Sequence, residues 1–266
     1  MKKILLILAL LGASKAFVYS QNPIVEMSGK MLLGFYTTEY QYAAVDNFTL
    51  CDKAISYTLF SLTKKVTMVN GKGAEIYSVY CSDAFSVKMD APSNMPEPCI
   101  AIGDLSWNAQ PREIVELSTA TGTYTDATSA ILKKEGISNP VVKVKKAFRV
   151  DMDGNGKNEV IVVSDNYPEI LPSHAEAGHY AVIYLRNVKE DNTVENIFIE
   201  KEIYQKNQDP EAQPPQRFEL LGILDVDHDG KFEIIVCASY YEGNSYIVYK
   251  FDGKKFNAVL ATGCGA

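Results

Sequence analysis

Two short stretches carry carboxylates at a spacing suited to a hard cation. One reads Asp151-Met-Asp153-Gly-Asn155-Gly156-Lys157-Asn-Glu159, and the other Asp225-Val-Asp227-His-Asp229-Gly230-Lys231-Phe-Glu233. Calcium takes about six to eight oxygen ligands at roughly 2.3–2.6 Å in a forgiving geometry. Side chains at positions 1, 3 and 5 of a tight loop can turn inward together. Glycine at position 6 permits the sharp bend, because it reaches positive φ without a Cβ clash. Position 7 then offers its carbonyl while its lysine side chain points outward, and the acid at position 9 closes the shell. The expected ligands of the first loop are Asp151, Asp153, Asn155, the Lys157 carbonyl and Glu159. Those of the second are Asp225, Asp227, Asp229, the Lys231 carbonyl and Glu233. An EF-hand closes at position 12, which here is Val162 or Val236, so these loops are not of that kind. Asp, Asn and Gly also build ordinary turns, but acids packed this densely repel one another unless a cation sits among them. The second loop has four acids to the first loop's three, so it is expected to bind more tightly. Exported calcium modules work at about 10⁻⁴–10⁻³ M, which suits a structural ion.

Other reactive residues form no comparable set. His174 and His179 flank Glu176 in a polar stretch, the arrangement of a solvated loop. No Gly-x-Ser-x-Gly elbow or phosphate-cradling loop is present, and no Cys-x-x-Cys pair suggests zinc. Gly71-Lys-Gly73 reads as a hairpin turn. Tyr240, Tyr241 and Tyr246 surround Glu242-Gly243-Asn244, where they serve either core packing or contact with sugar or protein. His228 fills a non-ligand position of the second loop and is expected to face water.

Both acidic loops must be held by strands. Arg149–Val162 aligns with Ile223–Val236 without a gap, an offset of 74 residues. An Ile/Val-rich strand follows each loop. Further strands follow at Tyr180–Arg186 and Val194–Glu200 in the first copy, and at Tyr246–Phe251 and Phe256–Leu260 in the second. The first copy is lengthened by insertions around Tyr167–Gly178 and Asn207–Pro215. The expected class is mainly β: propeller-like or β-meander blades with one short helix, preceded by a β-rich N-terminal region. That region, 21–118, holds candidate strands at Lys30–Tyr36, Ile55–Leu62, Lys65–Val69, Glu75–Cys81 and Phe85–Met89. The helix and the two copies occupy 119–266. Asp126 is expected to cap the helix, and Gly136 to end it after Lys133 and Lys134.

The loop residues Asp151-x-Asp153-x-Asn155-Gly156-x-x-Glu159 and Asp225-x-Asp227-x-Asp229-Gly230-x-x-Glu233 resemble those of FG-GAP/VCBS-type repeats. Such repeats occur in integrin-type β-propellers and many secreted bacterial proteins. The resemblance covers about Val141–Ala266. It implies β-blades, calcium held for structure, and use as an extracellular binding scaffold. This chain departs from the family in two ways. It has Glu where the family usually has Asp at position 9, and the Phe-Gly and Gly-Ala-Pro elements are not evident.

The bulk properties agree with export. The chain of 266 residues is 47% hydrophobic and 22% charged, ordinary for a packed globular protein. Lys2 and Lys3 precede the apolar run Ile4–Gly12, and Ser14 and Ala16 stand at −3 and −1 of a signal-peptide cleavage site. Residues 1–16 thus form the expected signal, with cleavage as late as residue 20 as the alternative. No cysteine lies there to carry a lipid, so the expected location is secreted or periplasmic. The net charge of −7 argues against nucleic acid and anionic membranes as partners. No later stretch is long and apolar enough to span a membrane. Five cysteines permit disulfides and, being odd in number, leave at least one free or paired between chains; Cys237–Cys264, which would tie down the tail, is one candidate pair and Cys81–Cys99 a second. The functional expectation is an exported, calcium-stabilised β-scaffold that binds protein or carbohydrate. The alternatives are a secreted hydrolase or lyase on the same scaffold, and a purely structural envelope protein.

Overall fold

The computed structural model describes residues 21–37, 41–44, 54–90, 92–189 and 191–265. The expected signal segment and Cys51 lie outside the described residues. Seven strands form the N-terminal sheet: β1 (Gln21–Glu26), β2 (Met31–Thr37), β3 (Gln41–Ala43), β4 (Ile55–Ser61), β5 (Lys65–Ser78), β6 (Cys81–Met89) and β7 (Cys99–Gly103). Their order is β1-β7-β4-β5-β6-β2-β3, and β1 also pairs with β2. A five-stranded sheet follows, made of β8 (Ile114–Glu116), β9 (Val144–Val150), β10 (Glu159–Asp165), β11 (Tyr180–Val188) and β12 (Val194–Ile203). The last sheet is the four-stranded meander β13 (Arg217–Leu224), β14 (Glu233–Tyr240), β15 (Gly243–Phe251) and β16 (Phe256–Gly265). Every described pairing is antiparallel. The expected mainly β class is therefore observed; the sheets do not close into a barrel, and a propeller is not shown.

Alternation along the strands explains the layering. Side chains on a strand point to opposite faces in turn. In β14, Ile234, Val236 and Ala238 pack with the five-stranded sheet, against Phe148, Ile161 and Ile183. Ile235 and Cys237 face the other way, toward Ile24, Phe60, Ile100 and Ile102 of the N-terminal sheet. The C-terminal meander is thus the middle layer, apolar on both faces. Burying one such Ile or Val contributes roughly 1.5–3 kcal/mol, so both faces hold the layers together. The N-terminal sheet also packs on itself, through Val25, Leu32, Phe35, Tyr57, Leu59 and Ala101.

The far face of the five-stranded sheet is covered by the helix α1 (Gly122–Lys134), whose Ile131 and Leu132 meet Val162, Tyr180, Val182 and Tyr184. Its end is as expected. Gly136 has φ +99°, its N–H donates to Lys133 O at 3.1 Å, and Ile137 N–H donates to Leu132 O at 2.9 Å. Its start is not. Thr121 is the N-cap and Asp126 lies inside the helix. Tyr124 packs on the sheet and Thr128 Oγ1 bonds both Tyr124 O and Tyr184 OH, which draws the first turn onto the core.

Two further expectations are corrected. Gly71-Lys-Gly73 is no turn; it lies inside the single long strand β5, at a register shift between Lys72 and Ala74. A Cβ on Gly71 would sit 2.8–2.9 Å from Met89 Cγ, Lys88 O and Tyr57 Cε2, so the glycine serves close strand packing. Among the described residues the disulfide is Cys81–Cys264, with Cα atoms 5.5 Å apart; the candidate Cys237–Cys264 and Cys81–Cys99 pairs do not form. Cys81 opens β6 and Cys264 lies in β16, strands brought together by layer packing. Cys237 and Cys99 instead face separate cores as buried thiols.

Candidate metal centre

Each acidic loop joins the first and second strands of a four-strand run. The first spans the gap from Val150 at the end of β9 to Glu159 at the start of β10, and these two residues pair. The second spans the gap from Leu224 to Glu233, which also pair. Several internal hydrogen bonds recur at equivalent positions. In the first loop, Gly156 N–H donates to Asp151 Oδ2 at 3.0 Å, Lys157 N–H to Asn155 Oδ1 at 2.7 Å, and Met152 N–H to Glu159 Oε2 at 3.0 Å. In the second, Gly230 N–H donates to Asp225 Oδ2 at 3.2 Å, Lys231 N–H to Asp229 Oδ1 at 2.8 Å, and Val226 N–H to Glu233 Oε2 at 2.7 Å. Gly156 and Gly230 adopt φ +84° and +82°, the left-handed bend for which glycine is suited.

The two loops differ in burial. Asp151 is half-buried and Asp153 exposed where Asp225 and Asp227 are buried, whereas Asn155 and Asp229 are both exposed and the closing Glu159 and Glu233 are both buried, Glu233 at 0% exposure. In the second loop the carboxylates of Asp225, Asp227 and Asp229 offer oxygens that lie within 4.8 Å of one another. Among the described residues, the first loop forms no such group. Asp225 Oδ1 and Glu233 Oε1 are buried without a hydrogen bond. Burial, then the charge of Asp227, pushes the Glu233 carboxyl up to about 9. Burial, then Asp229, also raises Asp225. In the first loop, burial pushes Glu159 up to about 7, aided by Asp153 and Asp151. A buried carboxylate set of this kind favours any cation that enters it.

Residues remote in sequence complete the centre. Lys250 Nζ forms an ion pair with Asp227, reaches Asp229 Oδ2 at 3.0 Å and lies 3.8 Å from Glu233 Oε1. For Asp229, burial pushes upward, but the Lys250 hydrogen bond and charge outweigh it and hold the carboxyl below its ordinary value. Trp107 Nε1 donates to Asp225 O at 2.8 Å, and its ring stacks on His228 at 5.1 Å. His228 therefore does more than face water. The stacking accompanies a φ of +60° at this position, where the first loop has Gly154. Arg112 Nε donates to Asp151 O at 2.7 Å while its guanidinium covers the Phe232 ring at 4.4 Å. Phe232 N–H donates to Met152 O at 2.9 Å, so the two loops are bonded directly to each other. Lys250, Trp107 and Arg112 belong to no motif; only strand register and layer packing bring them in.

The remaining candidates have local roles. His174 bonds Ser173 Oγ and Pro210 O, tying its loop to the Asn207–Pro215 segment, and His179 Nδ1 accepts from Glu176 N–H within its own loop. Tyr246 is buried in the core, while Tyr241 is exposed beside Tyr240. A cleft of about 490 Å³ opens between the five-stranded sheet and the meander. Val163, Phe218 and Leu220 contribute its apolar lining, and Lys143, Lys145, Lys146 and Arg217 stand there among the acids Asp165, Glu169 and Glu219. Buried Asp165 lies 3.7 Å from Lys145 Nζ and 3.5 Å from Arg217 Nε.

The sequence matches no protein-family model, and searches of curated proteins and of solved structures give no significant match.

Proposed function

We propose that the chain is an exported β-scaffold of the FG-GAP/VCBS type, stabilised by calcium in its acidic loops and used to bind a protein or carbohydrate ligand. The observation that carries the calcium reading is the convergence of Asp225, Asp227 and Asp229 in front of a fully buried Glu233. Hard carboxylate oxygens of mixed donor geometry suit calcium better than a thiol- or imidazole-seeking metal. The Cys81–Cys264 disulfide is compatible with an oxidising compartment. The binding role is supported by the cleft beside Phe218 and Leu220, whose apolar lining is rimmed by both cationic side chains and the acids Asp165, Glu169 and Glu219. Its volume lies within the range of about 300–1,000 Å³ usual for small-ligand sites.

Thermal unfolding with calcium and with excess chelator tests the core of this reading. Calcium at a hundred times its dissociation constant stabilises a single-site protein by about 2.7 kcal/mol. A rise in Tm that vanishes in Asp225→Ala/Asp227→Ala is the expected result. An unchanged Tm at millimolar calcium would make both loops plain acidic turns. Binding to arrayed glycans or to extracellular proteins, abolished by chelation, is the expected behaviour of the scaffold.

A further inference from the structure

The second loop already faces a cation of its own. Lys250 lies on β15, and its ammonium is held by Asp227 and Asp229 with Glu233 close behind. Register shows how the first loop differs. β14 pairs Ile234 with Tyr249, and β10 pairs Val160 with Arg186. Ile234 and Val160 each follow the closing glutamate by one residue. One step further along the partner strands stand Lys250 and Asn187. The place opposite the closing acid is therefore an ammonium in the second loop and a neutral amide in the first.

We propose that Lys250 is a tethered competitor for the metal ion of the second loop, an inference that rests on the calcium reading above. The ammonium satisfies the loop only in part. It leaves the buried Asp225 Oδ1 without a partner and stands off from Glu233 Oε1. A divalent ion shared by Asp225, Asp227 and Asp229 needs the oxygens that Lys250 holds, so the two cannot occupy the loop together. The Lys250 side chain is 31% exposed, and its flexible stem lets the ammonium swing toward water when the ion arrives. Without metal, Lys250 keeps the converging carboxylates from repelling one another. With metal, its displacement lowers the affinity. The ammonium offsets one of the second loop's four acids, against three acids in the first, which cancels the advantage expected from its acid count. Breaking one charge-assisted hydrogen bond as the metal enters corresponds to roughly a tenfold to hundredfold change in affinity.

The test is a calcium titration of the full chain in an Asp151→Asn/Asp153→Asn background that silences the first loop. Calorimetry gives the affinity. The emission of Trp107, the single tryptophan and hydrogen-bonded to Asp225 O, reports on the second loop. Lys250→Met is expected to bind calcium at least tenfold more tightly and to melt at lower temperature in chelator. Lys250→Gln, which keeps most of the length and a polar head, is expected to fold without metal and to show the same gain. Lys250→Arg is expected to stay near the parent affinity. If the parent binds calcium and Lys250→Met and Lys250→Gln bind it no more tightly, the competition is refuted while the calcium reading stands. If none of these proteins binds calcium, both fall.

Discussion

Replacing Glu233 by glutamine is expected to stabilise the calcium-free protein at neutral pH and to blunt its response to calcium. Glu233 is 0% exposed, and burial, followed by the charge of Asp227, moves its carboxyl from 4.5 to about 9. The Val226 amide and Lys250 act in the opposite direction without cancelling this. The carboxyl is thus protonated in the fold and ionised in the unfolded chain over the window from about 4.5 to about 9. The folded state binds more protons there, so this group's contribution is fully favourable below the lower value and is lost as pH rises. At about 1.4 kcal/mol per pH unit, the loss accumulated by neutral pH is on the order of 3 kcal/mol. Glutamine cannot ionise, and its carbonyl can still accept the Val226 N–H, so the variant lacks the slope. Glu159 titrates in both proteins and drops out of the difference. The assay is urea unfolding in chelator across mildly acidic to mildly basic pH. The stability gap is expected to widen steadily with pH in favour of the variant, and calcium is expected to narrow or reverse it. Parallel pH profiles would refute the claim that Glu233 is held in the fold as a neutral acid.

Two further outcomes follow from the packing. The Cys81–Cys264 bridge joins positions 183 residues apart, so chain entropy assigns it up to about 5 kcal/mol. Cys81→Ser/Cys264→Ser is expected to lower stability by roughly 2–5 kcal/mol in denaturant titration, and a change well under about 1 kcal/mol would contradict this assignment. Gly71→Ala is expected to destabilise by about 1–3 kcal/mol, because its Cβ meets the Lys88 carbonyl at 2.9 Å and that backbone cannot yield without disturbing the β5–β6 ladder. A neutral result by thermal unfolding would show that the strands can separate there freely.

Local chemistry wrote the acidic loops plainly into the sequence. Asp, Asn and Gly at fixed offsets specify a turn, and the apolar runs on either side specify strands, because both depend on neighbours a few residues away. The structure puts each loop between paired strands with matching hydrogen bonds, and Gly136 ends the helix as read. The difference in burial between Asp227 and its counterpart Asp153 was legible only in hints. Val226 and Phe232 are apolar in the second loop, but nothing local shows that Asp227 is sealed from water. Tertiary structure alone decided that, by making the C-terminal meander the middle layer. The same stacking placed Cys81 against Cys264, drew Trp107 and Arg112 onto the loops, and turned Gly71 from a turn residue into a point of close approach between strands. Lys250 meets Asp227 only because β15 lies beside β14 in one register, and a shift of one residue would send its side chain to the opposite face. Spacing within a loop is a property of nearby covalent geometry. Which charge faces that loop, and how much water reaches it, depends on pairings between residues far apart in the chain.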